Sequence, residues 1–184
     1  MRPVLLIIDV QADFFAAGPL AGQRAGLAGA INELVALFRG RDLPLIWIRQ
    51  EFAPDLHDAF LIMRERGISR TIAGTDGCQL LPELDHRDGD TVLVKKRYSA
   101  FFGTTLDDVL DSLKPDALVI AGVNTHACVR TTAIDAYQRD LAVVIASDCV
   151  ASYDQAHHDV TMRYLRERLR VMTNDELAEA IGAG

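Results

Sequence analysis

A cysteine near the middle of the chain, Cys128, stands where a protein can turn a thiol into a nucleophile. The apolar run Ala117–Ala121 precedes it and indicates a buried parallel strand, and apolar residues between 129 and 137 recur with helical spacing. Cys128 is therefore predicted to lie on the first turn of a helix. Backbone N–H groups gather there, lower the pKa of a thiol and can hold an oxyanion. The alternative is a small apolar residue packed into a tight turn.

An acid and a lysine end two further apolar strands. Val4–Asp9 ends on the carboxylate of Asp9, and Val92–Lys95 ends on the amine of Lys95. The carboxyl ends of parallel strands meet at one edge of an open α/β sheet, where such proteins bind their ligands. Taken singly, the acid could cap a turn and the lysine could be solvated. Three reactive side chains at the ends of three strands instead predict one common site.

Three ordered motifs carry these residues, namely IIDVQADF, KxxxSAFFGTxLD and AGVNTHACVR. On these motifs the sequence resembles the isochorismatase-like cysteine hydrolases over residues 3–177. The resemblance implies that Asp9, Lys95 and Cys128 form the Asp-Lys-Cys triad of that family. The family lysine stands four residues before Ser-Ala-Phe, which selects Lys95 rather than Lys96. Neighbouring side chains on a strand point to opposite faces, so at most one of the two lysines can face the site.

The resemblance implies an amidohydrolase that needs no cofactor. Asp9 accepts the thiol proton and later returns it to the leaving amine, while Lys95 holds Asp9 and supports the thiolate. The thiolate of Cys128 attacks the carbonyl group of a small amide or ureido compound, and water hydrolyses the resulting thioester. The implied oxyanion hole consists of the backbone N–H groups of Asn124 and Cys128. The peptide bond between Val123 and Asn124 is implied to be cis.

Five side chains are candidates for substrate binding, and four of them are aromatic: Phe14, Gln50, Phe52, Tyr98 and Phe101. Aromatic residues suggest an apolar wall around a small polar substrate. The long connection between residues 50 and 90 is expected to form much of the pocket, since loops of this length are often functional or contain short helices. His126 does not face Cys128 on a helix, and we assign it to the edge of the pocket rather than to proton transfer.

Three alternatives remain open. Isochorismatase shares the fold and cleaves a vinyl ether without a cysteine nucleophile, so the intact Cys128 favours an amidase. Metal-containing nicotinamidases of the family bind a divalent ion through Asp-x-His and further histidines. Asp55 and His57 match the first part, but no histidine occurs between His57 and His86, so we expect no bound metal and a substrate other than nicotinamide. The third alternative is an inactive interaction module, which the three intact catalytic positions disfavour.

Composition and charge are typical of a soluble enzyme. The 184 residues, of which 49% are hydrophobic, can bury the core of one domain, predicted to span residues 1–184. A net charge of −7 disfavours nucleic acid as a partner. We find no signal peptide and no apolar run that could span a bilayer. Three cysteines without metal-type spacing suit a reducing cytosol, so we expect a cytoplasmic protein, which we also expect to be a homo-oligomer, a dimer or a tetramer.

Alternating strands and helices must position these residues. Strands are predicted near residues 3–9, 44–49, 91–95, 117–122, 142–147 and 170–172. This alternation predicts a three-layer α/β/α fold with a parallel sheet. The family resemblance implies a Rossmann-like sheet of six strands in the order 3-2-1-4-5-6, with a crevice between the strands of Asp9 and Cys128. A dinucleotide site would need Gly-x-Gly-x-x-Gly directly after the first strand, and residues 9–14 contain no glycine.

Overall fold

The computed structural model describes residues 1–182 and contains a six-stranded parallel sheet with helices on both faces. The strands, in chain order, are β1 (Pro3–Ile8), β2 (Leu45–Gln50), β3 (Thr91–Lys95), β4 (Ala117–Val123), β5 (Val143–Ala151) and β6 (Arg170–Met172). The helices are α1 (Pro19–Arg39), α2 (Leu61–Arg66), α3 (Leu106–Leu113), α4 (Arg130–Tyr137), α5 (Gln155–Arg166) and α6 (Asn174–Gly182). The spatial order of the strands is β3-β2-β1-β4-β5-β6, so the predicted fold class and strand order are confirmed. The predicted domain range also includes residues 183 and 184, which lie outside the described residues.

The two central strands explain the unbroken apolar runs of the sequence. Every residue of β1 and β4 is buried, because helices cover both faces of the sheet. Leu5 and Ile7 of β1 pack into a cluster with side chains of α1 and α6. Leu6 and Ile8 point to the other face, into a cluster with α3, α4 and α5. Within residues 1–182, none of the helices combines the length and the apolar character that crossing a membrane requires.

The fifth strand is longer than the sequence pattern predicts. The predicted strand spans residues 142–147, but β5 continues through the polar residues Ser147 and Asp148 to Ala151, and its register against β4 shifts near Gly122. Both polar side chains contact the segment that joins β6 to α6. The hydroxyl of Ser147 lies 3.2 Å from the Met172 carbonyl oxygen. Asp148 accepts a hydrogen bond of 2.8 Å from the backbone N–H at the start of α6. Polar residues within a strand therefore mark an irregularity here rather than a boundary.

Gly122 allows β1 and β4 to approach closely just before the cysteine motif. Its φ is +114°, and a Cβ atom at this position would lie 2.0 Å from the carbonyl oxygen of Ile8. The glycine of the AGVN sequence is thus required both by its backbone conformation and by the space available.

We expect Gly122→Ala to lower the free energy of unfolding by roughly 2–4 kcal/mol, since it adds a disfavoured φ and a backbone clash. Urea denaturation followed by circular dichroism measures the change. Gly29→Ala is the matched control, because nothing lies within 4 Å of the Cβ position of Gly29 in α1. It should be neutral or slightly stabilising. An unchanged unfolding midpoint for Gly122→Ala would contradict the close approach of the two strands.

Candidate active site

Three buried side chains meet at the carboxyl edge of the sheet. The Nζ atom of Lys95 lies 2.7 Å from Oδ2 of Asp9 and 3.4 Å from Sγ of Cys128. Asp9 and Lys95 are fully buried, and Cys128 is 4% exposed. Lys95 ends β3, and its long side chain passes over the end of β2 to reach Asp9 after β1. The structure thus brings together the three residues that the motifs predict as a triad.

The two consecutive lysines point in different directions. Lys95 also donates a hydrogen bond of 3.1 Å to the carbonyl oxygen of Arg97. Lys96 instead lies 2.9 Å from Oδ2 of Asp58 and donates to the carbonyl oxygen of Glu51 at 2.5 Å. The alternation of side chains along a strand is the physical reason that only Lys95 reaches Asp9.

Burial controls the protonation of this cluster. Burial raises the pKa of Asp9, although Lys95 and the surrounding hydrogen bonds act in the opposite direction. Burial alone would lower the pKa of Lys95, but negative charge on Asp9 and Cys128 raises it above its ordinary value. Burial, reinforced by Asp9, raises the pKa of Cys128 to about 12 against the lowering influence of Lys95.

The thiol therefore keeps its proton at neutral pH. This direction is opposite to the lowered pKa expected from the start of a helix, because burial outweighs the local charges. A buried thiol of this kind needs a nearby base to become a nucleophile. Asp9 is well suited to that task, since a carboxylate with a raised pKa is a stronger base.

Asp9 leaves the strand in an unusual backbone conformation. Its φ is +56°, which is uncommon for a residue other than glycine. Its N–H group nevertheless donates to the carbonyl oxygen of Ile48 at 2.9 Å, which ties the turn to β2. The chain therefore turns sharply at the carboxyl edge of the sheet while the position of the carboxylate stays fixed.

A buried glutamine, Gln11, links the end of β2 to the segment that contains Cys78 through three hydrogen bonds of its side chain. Its Nε2 donates to the carbonyl oxygens of Gln50 at 2.8 Å and Cys78 at 2.7 Å, and its Oε1 accepts from the N–H of Gln50 at 2.8 Å. This side chain holds the end of β2, and with it the predicted substrate-binding residue Gln50. The sequence reasoning missed Gln11, although a polar residue that follows an apolar strand inside a motif was the available signal. Cys78 takes part in this arrangement through its backbone, because its carbonyl oxygen accepts the hydrogen bond from Gln11.

The cysteine itself lies in a π-helical turn, Thr125–Val129, rather than on the first turn of an α-helix. The α-helix α4 begins only at Arg130. The peptide bond between Val123 and Asn124 is cis, as the family resemblance predicts. The side chain of Asn124 accepts a hydrogen bond of 3.2 Å from the N–H of Tyr153, which links the motif to the end of β5.

A cavity of about 480 Å³ opens beside Cys128. Three of the predicted substrate-binding residues line it, namely Phe14, Gln50 and Tyr98. The rest of the lining comes from the long connection after β2, from the segments around the cysteine and from the turn after β5: Phe60, Ile62, Met63, Ile68, Arg70, Asn124, His126, Ala127, Arg130, Thr131 and Tyr153. The connection between residues 50 and 90 thus forms much of the pocket, as its length suggested.

Two of the predicted substrate-binding residues, Phe52 and Phe101, do not line the cavity. Phe52 is fully buried in a small cluster with Ala59 and Met63, behind the cavity wall, and its ring packs edge-on against Phe60. Phe101 is buried in the cluster beneath α3 and α4, with the guanidinium of Arg139 over its ring. Both side chains point into the core, so Phe60 supplies the aromatic surface that Phe52 was expected to supply.

The contacts of His126 and His57 show where these two side chains lie relative to the cavity. His126 lies at the cavity edge, as predicted, with Nδ1 2.7 Å from the hydroxyl of Ser152 and Nε2 3.3 Å from the hydroxyl of Tyr153. His57 contacts its neighbour Asp55 at 2.6 Å, and both side chains are exposed. Within residues 1–182, no three side chains of His, Cys, Asp or Glu come together in a group that could hold a metal ion.

We expect Lys95→Met to slow the alkylation of Cys128 by iodoacetamide at neutral pH on the order of tenfold or more. Without the ammonium, the buried site must hold an uncompensated negative charge whenever the thiolate forms. Lys96→Met is the matched control and should leave the rate unchanged, because Lys96 contacts Asp58 instead. Peptide mass spectrometry follows the modified cysteine. Slower alkylation in the Lys96 variant alone would show that the wrong lysine has been assigned.

Comparison with known proteins agrees with this geometry. The family model "Isochorismatase domain" matches residues 3–176. The chain is 30% identical to phenazine biosynthesis protein PhzD of Pseudomonas fluorescens, over 96% of this chain and 84% of that protein. It is 35% identical to a probable inactive nicotinamidase of Arabidopsis thaliana, over 80% of each chain. The crystal structure of N-carbamoylsarcosine amidase from Thermoplasma acidophilum superposes with a TM-score of 0.79 at 30% identity, covering 96% of this chain and 98% of that one. Sequence motifs, sheet order and similarity along almost the whole chain agree that this protein belongs to the isochorismatase family of hydrolases.

Proposed function

We propose that this chain is a cysteine-dependent hydrolase that cleaves the C–N bond of a small amide or ureido compound through a thioester intermediate. The observation that carries the proposal is the position of the Lys95 ammonium, 2.7 Å from Asp9 and 3.4 Å from Cys128. A base, a cation and a thiol are thus in direct contact beside a cavity. This is the set of groups that nucleophilic catalysis by a cysteine requires.

The first half of the reaction transfers one proton and exchanges one bond. Asp9 takes the proton of the Cys128 thiol, and the sulfur attacks the carbonyl carbon of the substrate. Backbone N–H groups of Asn124 and Cys128 hold the negative oxygen of the tetrahedral intermediate. As the C–N bond breaks, Asp9 returns the proton to the nitrogen, and the amine or ammonia leaves the acyl group on sulfur.

The second half restores the free enzyme. Asp9 accepts a proton from a water molecule, which attacks the thioester carbonyl. The C–S bond then breaks, and the proton returns to the sulfur of Cys128. One negative charge lies beside Lys95 at each stage, on Asp9 before the proton transfer and on the sulfur after it, and a negative neighbour raises the pKa of the Lys95 ammonium. Its charge offsets the thiolate each time that Asp9 becomes neutral.

The cavity supports a small substrate with one polar end. Phe14, Phe60 and Tyr98 provide apolar wall, and Phe60 and Tyr98 pack with ring centroids 4.8 Å apart. Gln50 is 6% exposed, and Gln11 already holds its backbone N–H and C=O groups. Its side-chain amide lines the cavity and can hydrogen-bond to the substrate.

A second candidate is hydrolysis of a vinyl ether, the isochorismatase reaction. The chain is 30% identical to the isochorismatase of Bacillus subtilis, over 96% of this chain and 57% of that protein, which favours this candidate. In that reaction Asp9 would act on the substrate without a covalent intermediate, and the thiol of Cys128 would have no role. Nicotinamide hydrolysis is a special case of the first proposal, and the surface position of Asp55 and His57 separates that pair from the cavity lining.

The free thiols support the proposed cytoplasmic setting. Cys78, Cys128 and Cys149 are all unpaired and buried, which suits a reducing compartment. We further propose that the protein acts on a small molecule as a homo-oligomer, a dimer or a tetramer.

A screen of small amides and ureas, nicotinamide included, for ammonia release identifies a substrate. Rapid mixing with that substrate, acid quenching and intact-protein mass spectrometry should then detect an acyl adduct on Cys128. Chelator treatment should leave the rate unchanged. Absence of the adduct, together with turnover of a vinyl ether, would support the second candidate. Loss of activity with chelator and recovery with zinc or iron would point to a metal-dependent reaction at Asp55 and His57.

A further inference from the structure

A histidine of α5, to which the proposed reaction gives no role, contacts the turn that carries Cys128. Nδ1 of His158 lies 2.9 Å from the hydroxyl oxygen of Thr125, the first residue of the π-helical turn Thr125–Val129. Thr125 is fully buried, and His158 is half-buried. Both side chains lie outside the cavity lining that the structure describes. Any influence of this contact on the reaction must therefore act through the position of the cysteine turn.

The hydroxyl group of Thr125 fixes the direction of this hydrogen bond. It donates its proton to the carbonyl oxygen of Ala151 at 2.9 Å, since a carbonyl oxygen can only accept. The hydroxyl oxygen must then accept from His158, whose Nδ1 carries a proton. Burial lowers the pKa of His158, so at neutral pH its ring is neutral with the proton on Nδ1. The Thr125 hydroxyl thus joins α5 to the end of β5.

The start of α5 places His158 against the cysteine turn. The carboxylate of Asp154 accepts a hydrogen bond of 2.9 Å from the N–H of His157 and so caps the first turn of the helix. Consecutive side chains on a helix point about 100° apart. The ring of His157 is exposed and lies 3.0 Å from the Asp154 carboxylate, whereas the ring of His158 turns toward Thr125. The two neighbouring histidines therefore have different environments.

The segment after β5 holds the cysteine turn at two further points. Oδ1 of Asn124 accepts a hydrogen bond of 3.2 Å from the N–H of Tyr153, and Nδ1 of His126 lies 2.7 Å from the hydroxyl of Ser152. Water cannot replace a lost partner of Thr125, because the threonine is fully buried. Among these contacts, the hydrogen bonds of Thr125 should therefore matter most for the position of the turn.

We propose that His158 is a positioning residue, which through Thr125 holds the Cys128 thiol where the base and the ammonium of the site reach it. This inference rests on the function proposed above and adds the residue that sets the position of the nucleophile. Sγ of Cys128 lies 3.4 Å from Nζ of Lys95, so a displaced turn lengthens this contact. A displacement on the order of 1 Å in a reacting group can cost on the order of a hundredfold in rate.

Removal of either partner of the hydrogen bond tests the proposal. His158→Leu and Thr125→Val should each lower kcat for the best amide substrate on the order of tenfold or more and leave KM nearly unchanged, since both side chains lie outside the described cavity lining. Both variants should also slow alkylation of Cys128 by iodoacetamide at neutral pH, because the thiolate moves away from the Lys95 ammonium. The double variant should be no slower than Thr125→Val alone, since His158 acts through Thr125.

Conservative variants separate a positioning role from a role in folding alone. The amide of asparagine can place an N–H group close to the position of Nδ1, and serine keeps the hydroxyl, so His158→Asn and Thr125→Ser should retain most of both rates. His157→Leu is the matched control and should leave both rates unchanged, because its ring is exposed. Thermal melting verifies that each variant is folded. A lower melting temperature of His158→Leu with wild-type kcat and alkylation rate, or equal losses in His158→Asn and His158→Leu, overturns the proposal.

The alkylation rate separates this proposal from the amidase function. The positioning role stands and the amidase function fails if the wild-type protein hydrolyses no amide or urea, while alkylation slows in His158→Leu and Thr125→Val with no further loss in the double variant. The amidase function stands and the positioning role fails if amides are hydrolysed and His158→Leu keeps the wild-type kcat and alkylation rate.

Discussion

Cys128→Ala should fold like the wild-type protein and lose turnover of the best amide substrate by a factor on the order of 10³ or more. The thiol is the group that forms the proposed covalent bond, so its removal leaves only substrate binding and oxyanion stabilisation. Alanine fits the buried position, because it keeps the Cβ atom and removes one sulfur from the cluster beneath α4. Steady-state ammonia release measures the loss, and thermal melting verifies the fold.

The other two cysteines provide the controls for this experiment. Cys78→Ala and Cys149→Ala should keep most of the activity, because both thiols are buried away from the cavity lining. Burial raises the pKa of Cys78 to about 11 and that of Cys149 to about 12. The Cys78 thiol does contact the carboxylate of Glu51 at 3.5 Å, but it does not line the cavity and cannot reach a substrate there. Near wild-type turnover by Cys128→Ala would end the assignment of Cys128 as the nucleophile, and vinyl ether hydrolysis that survives this change would support the second candidate.

Asp9→Asn should reduce both stability and activity. It leaves the fully buried ammonium of Lys95 without its carboxylate partner, which is expected to lower the free energy of unfolding by roughly 3–5 kcal/mol at neutral pH. Loss of the base should lower turnover by a factor on the order of 10² to 10⁴. The double variant Asp9→Asn/Lys95→Met should recover much of the stability and none of the activity. Urea denaturation and ammonia release measure the two effects separately.

The free energy of unfolding should depend on pH in opposite directions in the wild-type protein and in Asp9→Asn. In the wild-type protein the pKa of Lys95 is raised, so its contribution to stability is complete below the unfolded pKa and is lost as the pH rises through the folded value. In Asp9→Asn the buried ammonium has a lowered pKa, the unfolded state binds more protons, and stability rises with pH toward the unfolded value. Equal stability of Asp9→Asn and wild type at neutral pH would contradict the buried ion pair.

Local sequence patterns predict the fold class and bring the triad residues to one edge of the sheet. The apolar runs of β1 and β4 require burial on both faces, which permits few arrangements other than a parallel sheet covered by helices. Asp9 and Lys95 stand at strand ends, and Cys128 lies in the turn after β4. Parallel strands bring these positions to one edge whatever the details of packing. The order of the strands came from the family motifs, and the sheet has that order.

Side-chain direction outside regular elements could not be predicted in the same way. The connection between residues 50 and 90 has no periodicity that assigns its aromatic residues to a face, so the sequence does not distinguish the buried Phe52 from Phe60, which lines the cavity. Phe101 follows a motif but turns into the cluster beneath α3 and α4. The arginines at the cavity were missed for a related reason, since nothing in their sequence context distinguishes Arg70 or Arg130 from a solvated surface residue.

The sequence by itself determined which elements form and which reactive side chains meet, because strand pairing and motif spacing act through the backbone. The tertiary structure decided what those side chains can do. The pKa of Cys128 depends on the atoms that exclude water from it, and burial raises that pKa where the helix start alone would lower it. The hydrogen bonds of Gln11 and the cavity lining likewise join segments far apart in the chain, which only the folded protein brings into contact.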